Sequence, residues 1–140
     1  MKTNIEKGAY LLYATAFLFL AFAILDGFTP RILPFHEKML GLTHDELPPR
    51  IAAFSLFLLR IIGGCLFAIA VTLICLIRGP FKKGDVWGRN IIGILVLTST
   101  ISLSAVMLSH SVYSPWPAPL LGLAFTVVAL YMSRKEFIVR

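Results

Sequence analysis

The sequence predicts an all-α integral membrane protein, a four-helix bundle with a short re-entrant or surface-lying segment in its first outer loop. Hydrophobic residues make up 58% of the 140 residues and charged residues 14%, and the mean hydropathy is +0.85. A soluble domain of this length carries about 25% charged residues, so the composition argues against a water-soluble enzyme. The apolar residues also form continuous runs, whereas a membrane β-barrel requires strands of alternating polarity.

Four apolar runs approach the length of about 20 residues that a helix needs to cross the hydrocarbon core of a bilayer. In order along the chain they cover about 8–25, 51–77, 91–108 and 117–132. The first has no charged residue, the second is interrupted only by Arg60, and the fourth is the shortest. We therefore expect one transmembrane domain over 1–140, without a linker that would mark a second domain.

The basic residues predict how the chain is oriented in the membrane. Nine of the thirteen lie in the N-terminal tail, the second loop and the C-terminal tail, namely Lys2, Lys7, Arg78, Lys82, Lys83, Arg89, Arg134, Lys135 and Arg140. Only Arg31, Lys38 and Arg50 lie in the first loop. Because Lys and Arg accumulate on the cytoplasmic side, we expect an inner-membrane protein with both termini in the cytoplasm. Basic residues in this arrangement do not indicate nucleic-acid binding.

The first loop differs from a simple connector. Proline occurs near both of its ends, at positions 30, 34, 48 and 49, and proline interrupts helices. Thr43 and Glu46 have the spacing of a helix capping box. Between the prolines lie Phe35, Met39, Leu40 and Leu42. We expect these apolar side chains to anchor a short segment against the outer leaflet.

Arg60 is the first candidate for a functional residue, because a guanidinium within an apolar span is costly. It is either a structural arginine, ion-paired or reaching the membrane surface, or a residue that binds an anionic ligand or lipid headgroup. Gly63 and Gly64 follow on nearly the same helix face, and glycine allows another helix to approach closely. We therefore expect this face to look into the bundle and to place Arg60 inside the protein, reaching toward the acidic residues of the outer side, Asp26 among them.

Hydroxyl residues of the third span give the remaining candidates. Thr98, Ser102, Ala105 and Ser109 fall on one face, either for packing against a neighbouring helix or as the polar lining of a ligand cavity. The candidate ligand-binding residues are thus Arg60, Gly63, Gly64, Asp26, Ser102 and Ser109. Ten helical residues separate Cys65 from Cys75 by about 15 Å, so the two cannot form a disulfide with each other. We interpret both as small apolar core residues.

The three histidines offer one alternative, a metal site. His36, His44 and His110 all fall on the predicted outer side with four of the seven acidic residues. His36 and His44 are eight residues apart, which is not the i, i+4 spacing that places two ligands on one helix face. Histidines solvated at the membrane edge are the simpler interpretation.

The layout of the chain resembles a known family. The outer loop that contains Pro34 and Leu40-Gly41-Leu42, and the second span with Arg60-Ile61-Ile62-Gly63-Gly64, are similar to small four-span bacterial proteins of the DoxX-like group. This resemblance implies a four-helix bundle in which Arg60 matches a recurring arginine before a glycine pair. It also implies a link with quinone-dependent oxidoreductase complexes, with which some members are associated. It implies no particular activity or catalytic residue.

No motif for nucleotide binding, acyl transfer, zinc-dependent hydrolysis or haem attachment occurs in the sequence. We therefore expect a non-enzymatic membrane protein with no cofactor, either a small subunit or a binder of a lipid or other apolar ligand near the outer leaflet. The alternatives are an accessory subunit of a quinone-linked oxidoreductase and a small transporter or channel. The expected partners are the lipid bilayer and either other membrane subunits or further copies of this chain.

Overall fold

The computed structural model describes residues 3–109 and 117–137, and within these ranges the chain is helical, with no strand. The five α-helices are α1 (Asn4–Phe28), α2 (Pro34–Leu40), α3 (Pro49–Leu76), α4 (Val86–Ser109) and α5 (Pro117–Ser133). A 3-10 turn at His44–Glu46 precedes α3, a π-helical turn at Ile77–Phe81 follows it, and a 3-10 turn at Arg134–Glu136 follows α5.

Three of the described helical segments are long and apolar enough to cross a membrane: Asn4–Phe28, Pro49–Phe81 and Val86–Ala105. They are compatible with a multi-pass membrane protein. Helix α5 is apolar but has 17 residues, so its length is about 25 Å, slightly less than the hydrocarbon thickness. A count of four spans therefore remains a prediction, although each of the four apolar runs lies largely within one long helix.

Helix α1 is held at its start by the C-terminal segment. Thr3 and Glu6 form a capping box there. In addition, the Glu136 carboxylate accepts hydrogen bonds from the backbone N–H groups of Asn4 (2.9 Å) and Ile5 (3.1 Å). The first amides of a helix have no partner within it, so these bonds satisfy donors that would otherwise need water. They also tie the two ends of the described chain together.

The core surrounds α1, which packs most extensively on α3 and α5. At the end of the bundle near Glu136, the side chains of Leu12, Leu73, Ile77, Phe81, Ile92 and Val96 are completely buried. A polar contact joins α1 to α5, because Thr15 Oγ1 lies 3.1 Å from the carbonyl oxygen of Gly122 and 3.4 Å from Thr126 Oγ1. The interior around these fully buried side chains is therefore tightly packed.

Helices α1 and α3 approach each other most closely at Gly63. A Cβ atom at this position would lie 2.7 Å from the backbone nitrogen of Gly27 and 2.8 Å from the carbonyl oxygen of Ala23. Both neighbours are backbone atoms, which cannot rotate away. A Cβ atom at Gly64, by contrast, would meet nothing within 4 Å. Only the first glycine of the pair therefore faces another described helix.

The prediction that Arg60 faces into the bundle is wrong, because this residue is exposed on the surface of α3. The buried face of α3 contains Leu59, Gly63, Leu66, Ala70 and Leu73. The centre of that face is rotated by roughly 100° from Arg60 about the helix axis. Gly64 lies even farther from it and is exposed as well. Arg60 and Gly63 are thus close to each other around the axis of α3, but only Gly63 lies on the buried face.

The expectation that the two cysteines lie in the core is also wrong. Cys65 and Cys75 are free and exposed on α3, not core residues. In the hydroxyl face of α4, Thr98 and Ser102 are exposed, and their hydroxyls bond to carbonyl oxygens of α4 itself and not to another helix. The buried face of α4 instead includes Thr100. The Ser109 side chain lies outside the described part of the structure.

The contact at Gly63 predicts a difference between two neighbouring substitutions. Gly63→Ala forces α1 and α3 apart, and we expect it to lower the free energy of unfolding by about 1–3 kcal/mol. Gly64→Ala places its methyl group in open space and should change stability by about 1 kcal/mol or less, on the stabilising side, because alanine favours helix formation. Thermal unfolding in detergent measures both. Equal loss of stability in the two variants would contradict the assigned contact.

Candidate functional site: an apolar cavity

A cavity of about 560 Å³ lies among the five helices, in the half of the bundle that contains α2. Apolar side chains form nearly all of its wall. The polar side chains that line it are Thr15, Asp26, His36, Ser55 and Ser102. A cavity of this size can enclose a small molecule, and apolar walls with a few polar groups are typical of ligand pockets.

The cavity is elongated along α1. Asp26 lines it from the last turn of α1, and Thr15 lines it eleven residues earlier, so it covers about 16 Å of the helix. At the deeper end, the Thr15 hydroxyl is already engaged in the contact with α5. Ser102 Oγ donates to the carbonyl oxygen of Thr98 at 2.9 Å. Free polar groups are therefore concentrated at the other end, near Asp26.

Asp26 is the most unusual group in the cavity. Its side chain is only 7% exposed, and Oδ1 is buried without a hydrogen-bond partner among the described residues. The described lining includes no lysine or arginine that could pair with the carboxylate. A buried carboxylate oxygen that has neither a cation nor a hydrogen-bond donor as a partner is unfavourable. The structure thus leaves one strong acceptor unsatisfied at this end of the cavity.

His36 also lines the cavity, from the short helix α2. That helix begins with Pro34 at its first turn and ends at Gly41, whose positive φ of 68° glycine adopts without strain. The His36 ring stacks obliquely on Phe35, with 4.0 Å between centroids, and its Nδ1 is buried without a partner among the described residues. Burial lowers the pKa of His36 below its ordinary value, which favours the neutral imidazole.

Hydrogen bonds within the first loop position α2. Glu37 Oε1 accepts a bond of 2.8 Å from the backbone N–H of His44, and Arg31 forms an exposed ion pair with Asp45. The capping box predicted for Thr43 and Glu46 is confirmed. The backbone N–H and hydroxyl of Thr43 both donate to Glu46, and these bonds lower the pKa of its carboxyl group. The loop is therefore a folded element, although α2 packs only lightly on the other helices.

The sequence-predicted site residues divide into two groups. Asp26 and Ser102 line the cavity, whereas Arg60, Gly63 and Gly64 do not. The structure thus separates Arg60 from the acidic residue toward which we expected it to reach.

The three histidine candidates do not lie together in the described structure. His36, a candidate metal ligand, lines the cavity. Its spacing of four residues from Leu40, which places both on one face of α2, is the sequence signal that could have identified it. His44 lies in the loop, where its Nδ1 is 3.4 Å from the backbone nitrogen of Ile32. His110 lies outside the described residues. Within 3–109 and 117–137, no three His, Cys, Asp or Glu side chains group as a metal site.

Comparisons of the chain with protein-family models, with curated proteins and with solved structures gave no match. The class of the protein therefore rests on its own features, which are three apolar helices long enough to span a membrane and an apolar cavity between helices.

Burial of His36 predicts a pH dependence of stability. Because its pKa is lowered from the ordinary 6.5, the folded state resists protonation, and stability should be full above about pH 6.5 and decline as the pH falls toward the lowered pKa. His36→Gln removes this contribution. We expect the loss of thermal stability between about pH 7.5 and about pH 5 to be smaller in His36→Gln than in the native protein. His44→Gln is the matched control; an identical pH profile for all three proteins contradicts the prediction.

Proposed function

We propose that this protein is a non-enzymatic multi-pass membrane protein that holds a lipid or another apolar ligand between its helices. The observation that carries the proposal is the cavity of about 560 Å³ with an almost entirely apolar wall. Because residues of all five helices line the cavity, an occupant contacts residues distant in the sequence. An unfilled apolar space of this volume would also cost the bundle stability, so occupancy stabilises the fold.

The proposal includes an orientation. The end of the cavity lined by Asp26 and α2 belongs to the first loop, which carries three basic residues, whereas the opposite side of the predicted topology carries nine. The excess of basic residues supports placing both termini in the cytoplasm and the α2 end of the cavity in the outer leaflet of the inner membrane. The exposed apolar side chains of Met39, Leu40 and Leu42 on and after α2 suit contact with lipid there.

A quinone is a second candidate occupant. The observation that favours it is the neutral, unpartnered imidazole of His36 in an apolar cavity, since a neutral imidazole can donate a hydrogen bond to a quinone carbonyl. Membership of the DoxX-like group, supported by the two stretches that contain Gly41 and Arg60, belongs to the same proposal. Under this alternative the protein acts as an accessory subunit of a membrane oxidoreductase.

Filling the cavity tests the binding function. Ser55→Phe places a ring into the cavity from α3, and we expect the molar ratio of co-extracted apolar ligand to protein to fall about tenfold. Ala53→Phe makes the same change at an exposed position of α3 outside the lining and should retain the ligand. Mass spectrometry after gentle detergent extraction measures the ratio and identifies a lipid or a quinone. The proposal fails if native protein yields no ligand, or if both well-folded variants retain it equally.

The orientation is tested by labelling introduced cysteines. In a background with Cys65→Ala and Cys75→Ala, which removes two exposed thiols, Lys38→Cys and Lys83→Cys place single thiols in the first and second loops. We expect a membrane-impermeant maleimide to label position 38 in intact spheroplasts and position 83 only after permeabilisation. Labelling of both positions from one side contradicts the topology.

A further inference from the structure

The geometry points to a lipophilic cation as the ligand of this cavity: an amphiphile whose positively charged head lies against Asp26 and whose apolar body extends toward Thr15. This inference rests on the proposed function, because it specifies the chemistry of the ligand that the cavity holds. It is carried by three features of the lining, which are an unpaired carboxylate, aromatic rings, and an apolar wall of sufficient length.

The first feature is the charge that the described protein leaves uncompensated. Asp26 Oδ1 is buried and unpartnered, and the described lining holds no lysine or arginine. Arg60, the cation expected from the sequence to reach toward Asp26, lies on the exposed face of α3 and does not line the cavity. An acid buried in this way either remains protonated or receives a cation from elsewhere, and a bound cation gives the carboxylate the partner that the helices lack.

The second feature is the set of rings around the same space. Phe19, Phe22 and Phe35 all line the cavity, the first two from α1 and the third from α2. The face of an aromatic ring carries partial negative charge, and aromatic cages are a recurrent means of binding quaternary ammonium groups. Rings and a carboxylate in one lining attract a cation through two different interactions. Neither favours an anionic head.

The third feature is the shape of the cavity. From Asp26 it extends about 16 Å along α1 to Thr15, between walls formed by residues such as Leu59, Ile62 and Leu66. The hydroxyl of Thr15 at the deeper end is already bonded, so this end offers no free polar group for a second head. A ligand with one charged head and one apolar body therefore matches the cavity better than a molecule that is polar at both ends.

Two probes of nearly equal size and hydrophobicity but opposite charge provide the test. Tetraphenylphosphonium and tetraphenylborate are titrated separately into the detergent-solubilised native protein, and binding is measured by equilibrium dialysis. We expect tetraphenylphosphonium to bind about tenfold or more tightly than tetraphenylborate, and Asp26→Asn to remove most of this preference. Asp85→Asn, which removes an acid of the second loop that does not line the cavity, should bind like the native protein.

A second variant guards against misfolding of Asp26→Asn. Phe22→Leu keeps the carboxylate and an apolar wall but removes one ring, and it should weaken binding of tetraphenylphosphonium about fivefold while leaving that of tetraphenylborate nearly unchanged. Thermal unfolding of each variant shows that the fold is retained. Loss of cation binding in both variants, with neither affected in its stability, supports the inference.

The opposite results separate this inference from the proposed function. If both probes bind equally, and Ser55→Phe abolishes both while Asp26→Asn changes neither, then the cavity binds apolar ligands without charge selection, and only the inference is overturned. If neither probe binds and extraction of the native protein yields no ligand, the proposed function falls with it. If each probe binds Ser55→Phe as tightly as it binds the native protein, the probes bind outside the cavity, and this result also overturns the inference.

Discussion

Backbone contact between α1 and α3 at Gly63 is the constraint on which the cavity depends. The atoms that meet this glycine belong to Ala23 and Gly27, which flank Asp26 along α1. The same contact therefore determines how far α3 stands from the unpaired carboxylate. Leu59, Ile62 and Leu66, which surround Gly63 on α3, line the cavity. A wider helix separation would open this wall, so a residue without a side chain controls the width of the cavity at this level.

The central position of α1 explains why so many features converge on it. Its first turn donates backbone hydrogen bonds to the Glu136 carboxylate, Thr15 at its middle contacts α5, and its last turns contact α3. Its buried residues are small or hydroxylated at several positions, which lets neighbouring helices approach from more than one side. Phe17, Ile24 and Phe28 of α1 nevertheless remain exposed, so one side of this helix faces the surroundings of the bundle.

Apolar run lengths predicted the long helices well, because the length of a span is a one-dimensional property of the chain. The capping box at Thr43 was also predictable, since its partners are three residues apart. The orientation of α3 was not. A helix that is apolar all round has no amphipathic pattern to mark its buried face, so Arg60 and Gly64 were assigned to the interior although only Gly63 lies there. Asp26 was recognised as a candidate, but His36 and Phe35 come from α2, and only the folded loop brings them to the same cavity.

The interior of the bundle is not packed evenly. Around Leu73, Ile77 and Phe81 it is filled by fully buried side chains, whereas the cavity lies nearer α2. Leu73, Ile77 and Phe81 do not line the cavity, so the side chains that pack this end of the bundle are distinct from those that form the cavity wall.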